Sequence, residues 1–249
     1  MRRPVILLTN DDGPSSPGLT VLREALEELG EVWTVIPATE QSCISHSLTL
    51  SSPIRVERLR ERFFLVHGKP ADAVIIAIGD LLPQKPGLCV AGVNRGYNLG
   101  TDAFYSGTVA AAREAAFIGI PSLAVSVEKE NGEDSAVSWG TAAHVAIRVA
   151  KAMLSGRLTH PLWNLNVPNT PQVKGIMLSR AGKRQYAEVL RKGGDGFYVI
   201  AGTPTKSAEE GTDIWAVSQG FASLTPISVD PTERDGLPEG TGIPSQDPF

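Results

Sequence analysis

The segment "LTNDDG" at residues 8–13 sets an amide and two adjacent carboxylates, Asn10, Asp11 and Asp12, directly after the apolar run "PVILL". Like charges side by side repel, and burying them unpaired is costly. Two other polar groups follow apolar runs: "ATEQSCISHSLT", carrying Ser42, and Asn94, Arg95, Gly96 and Asn98 after "LCVAGV". If the three apolar runs are parallel strands, these groups meet at one sheet edge, where ligands of open α/β sheets bind. Two carboxylates, a hydroxyl and an amide are hard oxygen donors. They suit Mg²⁺, Mn²⁺ or Ca²⁺ rather than structural zinc. A divalent cation would make the adjacency of Asp11 and Asp12 favourable. Taken alone "NDDG" is an ordinary turn; agreement of three strand ends makes the case for a metal.

A second feature concerns anions. "GYNLGTDAFYSGTVAAAREAA" is a glycine-bearing loop feeding a helix, with Ser106, Gly107 and Thr108 at the helix start. Unpaired N–H groups and the helix dipole there attract phosphate, although taken alone Ser106 reads first as a plain N-cap. Neither a Walker A loop nor a GxGxxG fingerprint is present. Metal and anion sites on one edge suggest metal-assisted hydrolysis of a phosphomonoester, with Asp11 or Asp12 orienting or deprotonating water. Asn10, Asn98 and Arg95 are further candidates for substrate contact. Lys69 is a candidate for added positive charge and His46 for protonating the leaving oxygen.

The elements that must position these residues follow from periodicity. "VILLTN", "VWTVIP", "FFLVHG", "GLCVAGVN", "PSLAVSV" and "PLWNLNVP" read as strands. "SPGLTVLREALEELG", with Ser16 as N-cap, Pro17 in the first turn and Gly30 at the stop, reads as a helix. So do "ADAVIIAIGDLL", the alanine-rich "GTVAAAREAAFIG" and "SAVSWGTAAHVAIRVAKAML". The alternation predicts an α/β fold with a doubly wound, mostly parallel sheet. After about Arg180 the text predicts a β-hairpin excursion, a short capped helix and a strand; the Pro-, Gly- and acid-rich tail is expected to be flexible. The expected division is a catalytic core over 1–180 and an assembly extension over 181–249.

The chain has 249 residues, 42% hydrophobic and 20% charged, and a formal net charge of -4. That balance disfavours nucleic-acid duplexes and anionic membranes. No apolar run has transmembrane length. Cys43 and Cys89 make no disulfide framework, so the expected setting is a reducing cytoplasm.

"ILLTNDDG" with "SPGL", "EQS" with "HSLTL", "GVNRGYNLGTDAFYSGTVAAARE", "GIPSLAVS", "NLNVP" and "EGTDIWAVSQGFASLTP", in this order, resemble the signatures of the SurE (survival protein E) nucleotidases over nearly the whole chain. The resemblance implies a Rossmann-like, metal-dependent phosphatase of nucleoside 5'-monophosphates. It implies one divalent cation per subunit, Mg²⁺ or Mn²⁺ with Ca²⁺ possible in crystals, held by Asp11, Asp12, Ser42 and Asn94. It also implies a homodimer or homotetramer that exchanges C-terminal elements. The chain departs from the family pattern at Ala38, Ser45, Lys69, Ala73 and Ala91, none of them an implied ligand. A haloacid-dehalogenase-type phosphatase, which needs D-x-D spacing, and a non-catalytic nucleotide or metal sensor are the alternatives.

Overall fold

The computed structural model describes residues 3–128, 137–187, 189–205 and 208–232. The first half runs β1 (Val5–Thr9), α1 (Pro17–Leu26), β2 (Glu31–Pro37), β3 (Val56–Arg60), β4 (Phe63–Val66), α2 (Pro70–Ile76), β5 (Leu88–Arg95), α3 (Gly107–Phe117) and β6 (Ser122–Val127). Then come α4 (Trp139–Leu154), β7 (Leu162–Val167), β8 (Ile176–Leu178), β9 (Tyr186–Ala187), β10 (Leu190–Lys192), β11 (Tyr198–Ile200), β12 (Thr203–Pro204), α5 (Asp213–Ser218) and β13 (Ala222–Pro226). One sheet holds nine strands in the order β3-β4-β2-β1-β5-β6-β7-β13-β8. From β4 to β7 all neighbours are parallel. The chain winds outward from β1 through β2 to β4, then returns to β5 and winds outward the other way. The order therefore reverses between β1 and β5, the place where doubly wound sheets open a crevice.

Both faces of the sheet are covered, which is why its strands read as unbroken apolar runs. Ile6 and Leu8 of β1 point to the face covered by α1 and α4, with Val90, Leu123 and Val125. Leu7 points to the opposite face, under α2 and α3, with Val35, Cys89 and Ala91. Leu19, Leu22 and Leu26 of α1 are fully buried, and each contributes about 1.5–3 kcal/mol by leaving water. The alanines of α3 have a packing reason: the helix lies over Cys89, Ala91 and Ala124, and small side chains on both sides let it approach closely.

The sheet and its helices agree with the sequence reading, with local differences. Edge strand β3 is unsignalled because "VERLR" is charged and half-exposed, a composition that keeps a sheet edge from pairing further. Ser16 stands at the N-cap of α1 but makes no side-chain capping bond; Pro17 in the first turn sets the start. The helix ends at Leu26, before Gly30, whose N–H reaches the Leu26 carbonyl at 3.2 Å.

In the last third, β10 pairs antiparallel with β11 and β9 with β12, as hairpins. Helix α5 is capped by Thr212, whose Oγ1 accepts from the Trp215 N–H at 3.2 Å. β13 then enters the main sheet, antiparallel to β7 and parallel to β8. The tail expected to be flexible lies, beyond Thr232, outside the described residues.

Candidate active site

The carboxyl ends of β1 and β5, the loop after β2 and the C-terminal hairpins enclose a cleft of about 830 Å³. Asp11, Asp12, Ser42, Asn94, Arg95, Asn98 and Ser106 all line it. Asn10, Gly107 and Thr108 stand behind its wall.

Asp11 is 6% exposed. Its Oδ2 accepts the Thr108 N–H at 3.0 Å and its Oδ1 accepts the Thr108 hydroxyl. The first turn of α3 therefore serves Asp11, and the positive end of the helix dipole faces that carboxylate. Gly107 permits the approach: a Cβ there would lie 2.9 Å from Asp11 Oδ2 and 3.0 Å from Asp11 Cβ. Ser106 caps the same helix, its Oγ accepting the Val109 N–H at 3.1 Å; the hydroxyl hydrogen is still available to the cleft. Burial pushes the Asp11 carboxyl above its ordinary value, and the Thr108 bonds act against that.

Asp12 is less enclosed. Burial first, then the charge of Asp11, raise it to about 7, while the backbone N–H of Arg95 pulls the other way. Its Oδ2 is buried with no hydrogen-bond partner in the protein, and so is Oδ1 of Asn10, whose Nδ2 is committed to the Gly13 carbonyl at 2.8 Å. Leaving a carboxylate oxygen buried and unpartnered costs stability unless something binds it. That orphaned oxygen is the observation a hard cation fits.

A bulge in β5, where the register with β6 shifts between Ala91 and Asn94, bends the strand end into the cleft. Asn94 donates its Nδ2 to the Gly96 carbonyl at 2.8 Å, which leaves Oδ1 as the group able to meet a cation. Ser42 is exposed and donates to Glu40 Oε1 at 2.6 Å. Its loop is tied down by Gln41 N–H to the Asp11 carbonyl (2.8 Å), Ser45 N–H to the Tyr105 carbonyl (2.9 Å) and Thr49 N–H to Asp72 Oδ1 (2.9 Å).

Two candidates sit elsewhere. His46 faces α3, with Nε2 2.8 Å from Glu114 Oε2 and its ring stacked on Phe117, and does not line the cleft. Lys69 reaches Gln41 Oε1 at 3.1 Å and also does not line it. Asn98 lines the wall, but its Nδ2 goes to Ser126 Oγ at 2.8 Å and its backbone is held by Asn164 and Asn166.

Sequence reasoning passed over Glu40, whose charge adds to the repulsion on both aspartates, and the Asn164–Asn166 pair. The available signal for the latter was two amides inside a fully buried strand. It also missed the cleft's far wall: Asp102, Tyr105, Tyr186, Val189, Ile200 and Ala201. Among the described residues no group of three or more His, Cys, Asp or Glu is placed to hold a metal ion. Asp11 and Asp12 are adjacent, not in the D-x-D spacing that an aspartyl nucleophile of the haloacid-dehalogenase type needs.

Comparison with known proteins identifies the family. The family model described as Survival protein SurE matches residues 6–188. A "5'-nucleotidase SurE" of Laribacter hongkongensis (strain HLHK9) is 41% identical over 241 residues, covering 94% of this chain and 96% of that protein. A "5'-nucleotidase SurE" of Pelobacter propionicus (strain DSM 2379 / NBRC 103807 / OttBd1) is 41% identical over 235 residues, 91% of this chain and 94% of that protein. The crystal structure of the SurE protein from Aquifex aeolicus superposes with a TM-score of 0.84 at 40% identity, covering 93% of this chain and 96% of that one. With adjacent carboxylates at the β1–β5 switch point and a family match over most of its length, this chain belongs to the SurE family of survival proteins.

Proposed function

We propose that this protein is a divalent-metal-dependent 5'-nucleotidase that hydrolyses nucleoside 5'-monophosphates to nucleoside and phosphate. The reading is supported by its 41%-identical nucleotidase relatives. The observation that carries it is buried Asp11 beside half-buried Asp12, both lining the cleft, with one Asp12 oxygen buried and unpartnered. Asp11, Asp12, Ser42 and Asn94 would hold one cation per protomer, Mg²⁺ or Mn²⁺ in solution, with Ca²⁺ an alternative in crystals. When bound, the cation supplies Lewis acidity toward a phosphoryl oxygen and toward water.

The chain's own groups divide the remaining work. Thr108 fixes Asp11 as an oriented carboxylate. Asp12 orients water beside the cation and takes its proton. The Ser106 hydroxyl donates to a phosphoryl oxygen, and Arg95 offsets its charge from the cleft wall. Asn10, Asn98, Gly107 and Thr108 shape the phosphate side of the site: Asn10, Gly107 and Thr108 from behind the carboxylates, Asn98 from the wall.

Residues 1–180 carry the metal and phosphate chemistry, and 181–249 add the hairpin wall of the cleft and a surface for assembly. Leu190, Phe197, Tyr198 and Val199 on the hairpins are exposed apolar side chains, a surface suited to a homodimer or homotetramer. Two unpaired cysteines, one of them exposed, favour the cytoplasm. No helix among the described residues is long and apolar enough to cross a membrane. The test is phosphate release from nucleoside 5'-monophosphates with Mn²⁺ or Mg²⁺ and with a chelator. Metal-dependent release, abolished in Asp11→Asn and Asp12→Asn, is expected; no release with any divalent cation would contradict the proposal.

A further inference from the structure

The cleft is far larger than a phosphate, and its lining differs in chemistry. One part is the carboxylate floor. The C-terminal hairpins supply a second, mostly apolar part of the lining, Tyr186, Val189, Ile200, Ala201 and Gly202, and Tyr105 lines it as well. Ile200 is 83% exposed and Tyr105 62%, so apolar and aromatic surface stands uncovered beside the reacting centre.

Two pins hold the hairpins there, and both end in one short 3-10 segment, Gly100–Phe104, between β5 and α3. The first pin is buried. Asp213, fully inaccessible, accepts the Gly100 N–H on Oδ2 (2.7 Å) and the Gly182 and Ile214 N–H groups on Oδ1 (2.9 and 2.8 Å). Gly100 has a φ of +53°, and a Cβ on it would lie 2.1 Å from the Gly182 carbonyl oxygen. This crossing is a fixed joint. The second pin borders the cleft. The Tyr186 hydroxyl donates to Asp102 Oδ2 at 2.6 Å, and Arg184 Nε lies 2.9 Å from the same oxygen as an ion pair. The Arg184 guanidinium sits over the Tyr186 ring at 5.8 Å, and the Thr101 hydroxyl donates to the Arg184 carbonyl at 3.1 Å. Asp102 and Tyr186 both line the cleft.

Resting on the nucleotidase reading above, we infer that the hairpins form the nucleoside subsite, with Asp102, Tyr186 and Arg184 as the latch that sets its distance from the carboxylate floor. An uncharged nucleoside has a planar apolar base and a polar sugar. Mostly apolar walls with a few fixed polar groups are what such a ligand requires. The phosphate is recognised at the floor and the nucleoside at the hairpin, on residues far apart in the chain. The same 3-10 segment aligns both, because it leaves β5 beyond Asn94 and leads into the helix that holds Asp11. Asp102 and Arg184 are positioning residues; Tyr186 and Ile200 touch the nucleoside.

The latch and the wall are tested separately. Tyr186→Phe keeps the ring and removes the hydroxyl; Ile200→Ser removes apolar wall without touching the latch. In each, KM for a nucleoside 5'-monophosphate rises about tenfold, the value of one charge-assisted hydrogen bond or a comparable apolar contact. The kcat changes less than twofold, and inhibition by inorganic phosphate is unchanged. Calorimetric binding of the unphosphorylated nucleoside weakens in parallel, and KM for glycerol phosphate does not move. A merely structural role would lower kcat and weaken phosphate inhibition together. Unchanged KM for the nucleotide and unchanged nucleoside binding in both variants would overturn the inference while leaving the nucleotidase intact. Wild-type protein without turnover would overturn the nucleotidase reading, and nucleoside calorimetry on the two variants would still decide this one.

Discussion

Asp12→Asn is expected to make the metal-free protein more stable and the metal-loaded protein less so. The Asp12 carboxyl moves from an ordinary 3.8 to about 7 on folding. A carboxyl whose value is raised in the folded state destabilises the fold only when ionised. The penalty is absent below pH ~4, grows between pH ~4 and ~7, and is constant above that. A rise from 3.8 to about 7 corresponds to a ceiling of about 4 kcal/mol at pH 8. Asp12 keeps some solvent contact, and asparagine brings amide hydrogens needing partners, so about 1–2 kcal/mol of gain is expected. Asparagine can still accept the Arg95 N–H. Saturating Mn²⁺ reverses the order: at a hundredfold excess over Kd, wild type gains about 2.7 kcal/mol and the variant gains little. Urea unfolding followed by the four tryptophans, at fixed protein concentration, reads both states. With chelator at pH 8 the variant unfolds at higher urea, with Mn²⁺ at lower urea than wild type, and the chelator advantage shrinks at pH 5. A variant less stable in chelator at pH 8, or one still stabilised by Mn²⁺ like wild type, would refute the reasoning.

Three further outcomes follow from the same geometry. Thr108→Val removes a donor to a buried carboxylate and should cost about 1.5–3 kcal/mol in urea unfolding, with Mn²⁺ affinity weakened about tenfold; an unchanged midpoint and titration would show that Thr108 does not support Asp11. Cys43 is exposed and lines the cleft beside Ser42, whereas Cys89 is buried, so a bulky thiol reagent should label Cys43 alone by mass spectrometry and block phosphate release; full activity after complete labelling would count against the assigned cleft. Asp213→Ala orphans three backbone N–H groups and should destabilise by about 3 kcal/mol or more, with faster amide exchange at Gly100 and Gly182; wild-type protection there would mean the joint is held by something else.

Much of the architecture was readable because burial on both sheet faces erases polar residues from the strands, so "VILLT", "LCVAGV" and "SLAVSV" announce themselves and polar strand ends stand out. From strand order alone Asp11, Asp12, Ser42 and Asn94 could be grouped, and all four line one cleft. What the text concealed depends on partners far away in the chain. Thr108 reads as part of an anion-binding helix start, and only the fold reveals that Asp11 is the anion it meets first. His46 looks available until Glu114 and Phe117 are seen to claim it. Lys69 likewise turns to Gln41 rather than to the cleft. The far wall was hidden for another reason: Tyr186 and Ile200 belong to short hairpins with weak local signatures, and their place over the site is decided by Asp102 and Asp213.

The central claim is that Asp11 and Asp12 tolerate each other because they share a divalent cation. Diffraction from crystals grown with Mn²⁺, collected at the manganese edge, measures this directly. One anomalous peak per protomer is predicted at the β1–β5 switch point, within coordination distance of Asp11, Asp12, Ser42 and Asn94. An empty position there at saturating Mn²⁺, with phosphate still released at full rate, would contradict the account.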